Sequence, residues 1–362
     1  MTATPLSLIA AKKDLFDKEK ITRPTLSDTY AWCDYIELKC LLSADGRFSR
    51  GQLLEVLDDS ALLYGEKTDS DDRLLNSEIP TDHDVENVEE DDDQDDEGEV
   101  THITRQSLRN DFRVNGWFNS IGFRQNIFEN GYPFFLSEDK KELFIKEDLS
   151  NEQKFYLQLL ISSCLRLVPK ERWADLTEPF EIISAELFSS LMPKGWNVHR
   201  FGAKGSTKYT GTLYKKLTDL AKDIRAIFSA PPYYYKPGNS GDGGLDLVAW
   251  HPLGDERTGI PVALAQCGCV ADEWTMKTLE ASPARLGANL RPPSPWMTYY
   301  FMPHDLIYNS GETIDWQRGS ELTGSIVIDR LRFMRLAKMY ELIDKVEVMH
   351  PAVNEVLELK MA

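Results

Sequence analysis

Two stretches carry residues whose types and spacing could do chemistry. Gly241-Asp242-Gly243-Gly244-Leu245-Asp246-Leu247-Val248-Ala249-Trp250 reads as a glycine-rich turn running into a strand, with Asp246 near the strand's start. A turn at 252–259 leads to a second strand, 262–267, with Gln266 near its far end. Adjacent strands of such a hairpin bring Asp246 and Gln266 side by side. Two oxygen donors on one sheet face suit Mg²⁺ or Mn²⁺, because a hard cation takes oxygen ligands and keeps several waters. Plainer roles are also open to these residues. Gly and Asp favour turns for conformational reasons, which accounts for Asp242. A glutamine at the end of a buried strand can simply hydrogen-bond the backbone.

In their order, G-D-G-G-L-D-L-V-A and then A-L-A-Q-C, these stretches resemble the core of Mrr-type restriction endonucleases of the PD-(D/E)XK superfamily. In that family a helix with a Phe-Glu pair comes first, and here Phe180-Glu181 precedes a short strand expected at 196–201. The resemblance covers roughly residues 177–302. It implies an α/β fold, a restriction-endonuclease-like mixed sheet flanked by helices. It also implies that Glu181, Asp246 and the Gln266 amide oxygen surround a Mg²⁺ or Mn²⁺ ion that activates water against a phosphodiester of DNA. Enzymes of this kind resemble components of prokaryotic anti-phage defence or restriction systems. The expected partners are therefore DNA, a protein such as an ATPase or sensor subunit, and a second copy of the chain. The family's lysine falls two positions after the glutamine, where this chain has Gly268. Lys277, one turn after Trp274 on the next expected helix, is the replacement candidate for offsetting charge on the phosphate. A catalytically degenerate fold, serving as a DNA-binding or protein-interaction subunit, is the alternative that Gly268 favours.

Basic and aromatic residues cluster just upstream. Lys204, Lys208, Lys215, Lys216, Lys222 and Arg225, with Tyr209 and Tyr214 among them, suit phosphate contacts and stacking on bases. A solvated helix face explains the same pattern. Tyr233-Tyr234-Tyr235 could line a substrate groove or pack under the glycine-rich loop, and Asp329-Arg330 with Arg332 could bind phosphate or form structural ion pairs. The six histidines form no ligand-spaced pair, which argues against zinc hydrolase chemistry.

These residues must be positioned by ordered elements. From Ser150 onward strands alternate with helices, which indicates an α/β domain over 149–362. Ser150 and Gln153 form a capping box for a helix stopped by Pro169. Phe180, Ile183, Leu187 and Leu191 recur at helical spacing in a helix expected from about Thr177, with Pro179 in its first turn. Leu213, Leu217, Leu220, Ile224 and Ile227 mark another at 208–228. Strands are expected at 245–250, 262–267, 297–302 and 325–328, and a last helix from Arg330 to about 343. Residues 1–148 read as a mostly helical domain with a β-hairpin at 132–146, compatible with a winged-helix module. Its helices are expected at 30–42, as an amphipathic element, at 50–57, and in part of 104–128.

The net charge of −18 at first opposes nucleic acid, but twelve acidic residues fall in one run, 82–99, inside an insertion of disordered composition at about 65–100. Without it the chain is only mildly acidic. The run could be an inert linker or a mimic of nucleic acid covering a basic groove. With 42% apolar and 28% charged residues, five unevenly spaced cysteines and no signal-peptide core, a soluble cytoplasmic protein with no membrane span is expected.

Overall fold

In the computed structural model the first helix, α1 (Thr29–Leu42), is buried on almost every side rather than amphipathic. The reason lies in its acidic residues. Asp34 and Glu37 accept from Arg124 at 2.8 and 2.9 Å, so the polar face is neutralised and enters the core with the apolar one. Trp32 stacks on Trp117 at 4.2 Å from the other side. A short strand, β1 (Arg47–Ser49), follows where the sequence suggested only a turn, and then come α2 (Arg50–Leu63) and the long α3 (Asp95–Phe128). The hairpin of β2 (Phe134–Leu136) and β3 (Glu142–Ile145) stands where expected, and β1 joins it in a three-stranded antiparallel sheet of order β1-β3-β2. Helices followed by a hairpin remain compatible with the winged-helix reading.

The structure describes residues 23–24, 28–63, 95–167, 170–202, 206–270, 274–309, 314–322 and 324–344. Most of the acidic run lies outside them, although its last residues, from Asp95, open α3. Two compact units emerge. One is Arg23–Ile127 with Phe134–Lys146, and the other includes Phe128–Pro133 and the chain from Glu147 onward.

In the second unit α4 (Asn151–Ser163) starts at the expected capping box, with Gln153 N–H donating to Ser150 Oγ at 3.3 Å and Ser150 N–H donating to Gln153 Oε1 at 3.0 Å. Helix α5 (Trp173–Leu191) begins a turn earlier than its apolar spacing suggested, because Leu176 is also buried, so Pro179 sits inside it. Then come β4 (Asn197–Arg200), α6 (Leu213–Asp223), the two-residue β5 (Ile227–Phe228), β6 (Leu247–Trp250), β7 (Val262–Cys267), the single turns α7 (Trp274–Lys277) and α8 (Pro283–Leu286), β8 (Leu290–Arg291), β9 (Met297–Phe301), β10 (Ile307–Asn309), β11 (Ile314–Trp316), β12 (Ile326–Ile328) and α9 (Arg330–Met339). The helix expected to run to Phe228 stops at Asp223. Arg225 takes a left-handed φ of 55°, and Ile227-Phe228 pair with β8 instead.

Five strands form one mixed sheet of order β12-β9-β7-β6-β4. β4, β6 and β7 run antiparallel to their neighbours, while β7, β9 and β12 are parallel. Helices cover both faces. Leu213, Leu217 and Leu220 of α6 pack with Val248, Trp250, Val262 and Leu264 on one face. On the other, Phe180 of α5, Phe155 of α4 and Phe301 of β9 gather around Phe333 of α9. The chain is thus an α/β protein with a mixed five-stranded sheet. No helix among the described residues is long and apolar enough to cross a membrane.

Candidate metal centre

Asp246 is the joint at which three strands end. Its N–H donates to Ala265 O at 3.0 Å, and its carbonyl accepts from Phe201 N at 2.6 Å and Gly202 N at 3.3 Å. Its Oδ2 accepts from Cys267 N at 2.7 Å. The register of β6 on β7 sets Leu247 opposite Ala265, which leaves Asp246 beside Gln266, as the hairpin reading required.

Glu181 reaches the same spot from α5. Gly202 marks the meeting point: a Cβ there would stand 3.0 Å from Glu181 Oε1 and 3.5 Å from Asp246 Oδ1. A side chain there would press the Glu181 carboxylate back by a few tenths of an ångström. Burial, above all, and then the neighbouring charges of Glu181, Asp242 and Glu280 hold the Asp246 carboxyl well above the usual carboxylate range, against the backbone hydrogen bond from Cys267. Glu181 is pushed up by burial too, and the Arg200 guanidinium beside it works in the opposite direction. Nε and Nη2 of Arg200 both donate to Glu181 Oε1, at 3.0 and 2.9 Å. Arg200 alternates along β4 with His199, which packs on Trp250 and Tyr209, so the two side chains leave opposite faces.

Gln266 brings an amide side chain to the end of β7. Its Nε2 donates to Cys267 O at 3.4 Å, whereas its Oε1 is buried and has no hydrogen-bond partner among the described residues. Asp242 plays the turn role, with Oδ1 accepting from Gly244 N at 2.8 Å, while its charge also acts on both Glu181 and Asp246. Gly243 and Gly244 take φ of 68° and 84°, a left-handed conformation that glycine adopts without strain. Glu280, invisible in the sequence because no motif surrounds it, lies with its Cβ against Gly244 and adds a fourth carboxylate.

Sites of this donor class hold hard divalent ions, and the residues fit one. A desolvated acidic pair needs a cation to offset it, and the orphaned Gln266 oxygen is an acceptor awaiting one. Among the described residues no three Asp, Glu, His or Cys side chains form a metal-holding group by themselves; a donor set here would be two carboxylates and the Gln266 amide.

The charge of Lys277 acts on the Cys269 thiol, and no hydrogen bond or ion pair among the described residues joins it to the acidic cluster. Position 268 is closed on its side-chain face. A Cβ on Gly268 would lie 2.1 Å from Tyr300 Oη and 2.8 Å from Cζ.

The upstream basic cluster is mostly committed to internal partners. Tyr209 is 1% exposed and donates to Asp223 at 2.7 Å, so it offers no ring face to a base. Lys216 is 3% exposed, and its Nζ donates to the carbonyls of Ser240 at 2.9 Å and Gly241 at 3.3 Å. Instead of meeting phosphate it fastens the loop that carries Asp242 and Asp246. Lys208 pairs with Asp223 and Lys215 with Asp219 at the surface. Lys222 also pairs with Asp219, and Arg225 pairs with Asp255. Lys204 lies outside the described residues. Tyr233 and Tyr234 are exposed, whereas Tyr235 packs on Tyr214. Arg330 is structural, fully buried and donating to Pro303 O, Tyr156 Oη and Ser163 Oγ. Asp329 caps α9 and Arg332 donates to Val327 O.

Comparison with protein-family models finds no match, and comparisons with curated proteins and with solved structures find none.

Proposed function

We propose that this chain is a divalent-metal-dependent nuclease that hydrolyses phosphodiester bonds in DNA, with a restriction-endonuclease-like core. The observation that carries the reading is the meeting of Glu181 and Asp246 over Gly202, with the partnerless Gln266 oxygen in register beside them. The order α5–β4–α6–β6–β7–α7–α8–β9, with Glu181 on the first helix, Asp246 at the start of β6 and Gln266 near the end of β7, agrees with the resemblance. DNA as the polymer rests on that resemblance.

Glu181, Asp246 and the Gln266 amide oxygen would hold Mg²⁺ or Mn²⁺. Such an ion polarises the phosphate and lowers the pKa of a bound water. Asp246 is preorganised for its part, because Cys267 N–H fixes Oδ2 and leaves Oδ1 on the Glu181 side. Arg200 holds the Glu181 carboxylate at the sheet end, and its guanidinium brings positive charge beside the place a phosphate would occupy. Lys216 keeps the Asp242–Asp246 loop in place.

One set of observations favours a degenerate fold acting as a binding subunit. Gly268 replaces the lysine, Tyr300 fills its space, and no hydrogen bond or ion pair among the described residues joins Lys277 to the carboxylates. Cleavage of supercoiled and linear DNA in Mg²⁺ or Mn²⁺ separates the two. The nuclease should nick and linearise plasmid, and Asp246→Ala should cut the rate by about 10²-fold or more, the scale of losing one electrostatic stabiliser. A wild-type protein inert in both metals, whose melting temperature Mn²⁺ does not move, would leave only the subunit role.

A further inference from the structure

Tyr299 and Phe301 of β9 both pack on Phe188 of α5, so Tyr300 between them points to the opposite face of the sheet. There the parallel register sets Tyr300 beside Gln266, and Gly268 projects to the same face two residues on. The hydroxyl end of the phenol lies against Gly268. A Cβ would meet Oη, Cζ and Cε2 at 2.1, 2.8 and 3.0 Å. Gly268 does not adopt positive φ, so closeness to this ring, and not backbone conformation, is what excludes a side chain. Any lysine at 268 would have to occupy the volume of the Tyr300 head.

Tyr300 is fully buried, yet its hydroxyl has no hydrogen-bond partner among the described residues. Gln266 Oε1, one strand away in the same register, is likewise buried and partnerless. A buried polar atom without a partner is destabilising, so two orphaned polar atoms on one patch of sheet point to a group that satisfies both. A phenol is a proton donor at neutral pH and the amide oxygen an acceptor, a pairing that fits a water or hydroxyl held between them.

We propose that the Tyr300 hydroxyl takes the place of the missing lysine, as a neutral donor that positions the water held at Gln266 and Asp246. This assignment rests on the nuclease reading. Tyr300 acts through that water and carries no charge, which makes it a positioning residue rather than a base.

Three variants test it. Tyr300→Phe keeps the ring and removes only the donor, so kcat in Mg²⁺ should fall about 10- to 100-fold while KM, the melting temperature and the Mn²⁺ concentration giving half-maximal stabilisation stay within about twofold or a degree or two. Tyr300→Ala should lose activity, and Gly268→Lys added to it should restore at least tenfold, because the lysine then enters the vacated space. Gly268→Ala should lower the melting temperature in the wild type and much less in the Tyr300→Ala background, a readout independent of cleavage. A wild type that cleaves and a Tyr300→Phe protein that cleaves within twofold of it would overturn the assignment and leave the nuclease reading standing. A wild type inert in both metals would overturn both. Loss of Mn²⁺ stabilisation in Tyr300→Phe would make Tyr300 part of the packing that shapes the site and overturn the positioning role.

Discussion

Asp246 is a residue whose surroundings oppose its own charge. It is 7% exposed, faces Glu181, and has Asp242 and Glu280 nearby. Such an arrangement is costly to a metal-free fold and useful to one that binds a cation. Asp246→Asn keeps an oxygen for Cys267 N–H and removes the charge. In metal-free buffer this variant should melt a few degrees above wild type, the scale of about 1 kcal/mol in a protein of this size. It should also lose the stabilisation that Mn²⁺ gives the wild type. Thermal melts of both proteins with and without Mn²⁺ check this. An asparagine variant as unstable as Asp246→Ala would mean that the carboxylate is structural. At this scale Asp246, Gln266 and Glu181 were legible in the sequence, because a strand-initial aspartate, a strand-final glutamine and a Phe-Glu helix pair form an ordered pattern. Glu280, Arg200 and Tyr300 were not, since each arrives from a segment with no motif of its own and is placed by strand register or loop path.

Among the elements, α6 departs most from its sequence reading. Its lysine-rich face suggested a groove for phosphate, but Lys216 belongs to the buried side of the helix and its long stem carries the ammonium to the loop carbonyls of Ser240 and Gly241. Leu213 N–H donates to Asn239 O at 2.8 Å, so the start of α6 and the glycine-rich loop are tied twice. Lys216→Met should leave those carbonyls without their donor and lower stability by about 1–3 kcal/mol. Cleavage should fall with it through displacement of Asp242 and Asp246. The salt dependence of DNA binding should stay unchanged. A phosphate contact would behave in the opposite way, with an intact melting temperature and a salt slope reduced by about one. Helical periodicity identified Leu213, Leu217 and Leu220 as the apolar stripe of α6 but carried it on to Ile227, which is exposed in β5. It could not tell which lysine reaches inward, because that depends on the loop the helix meets.

At the scale of the whole molecule, charge is segregated along the chain: the acidic run accounts for most of the net −18. The N-terminal unit also buries charge, since Arg124, Asp34 and Glu37 are each almost fully enclosed. Removing the cation takes from two buried carboxylates the guanidinium they share, so Arg124→Ala should cost about 3–5 kcal/mol. Urea unfolding followed by tryptophan fluorescence, with Trp32 stacked on Trp117 in that core, measures it, and a loss under 1 kcal/mol would contradict a buried ion triad. The amino-acid sequence by itself determined the order of the longer helices and of the five strands of the mixed sheet, the capping box of α4, the hairpin of the first unit and the adjacency of Asp246 and Gln266. These follow from local periodicity, turn chemistry and pairing of neighbouring strands, which short stretches of chain encode. Only the tertiary structure decided that α1 is buried on its polar side, that Glu181 and Asp246 meet over Gly202, and that Tyr300 closes position 268. Each depends on residues far apart in the chain that approach only when sheet and helices pack, and no local pattern records that approach.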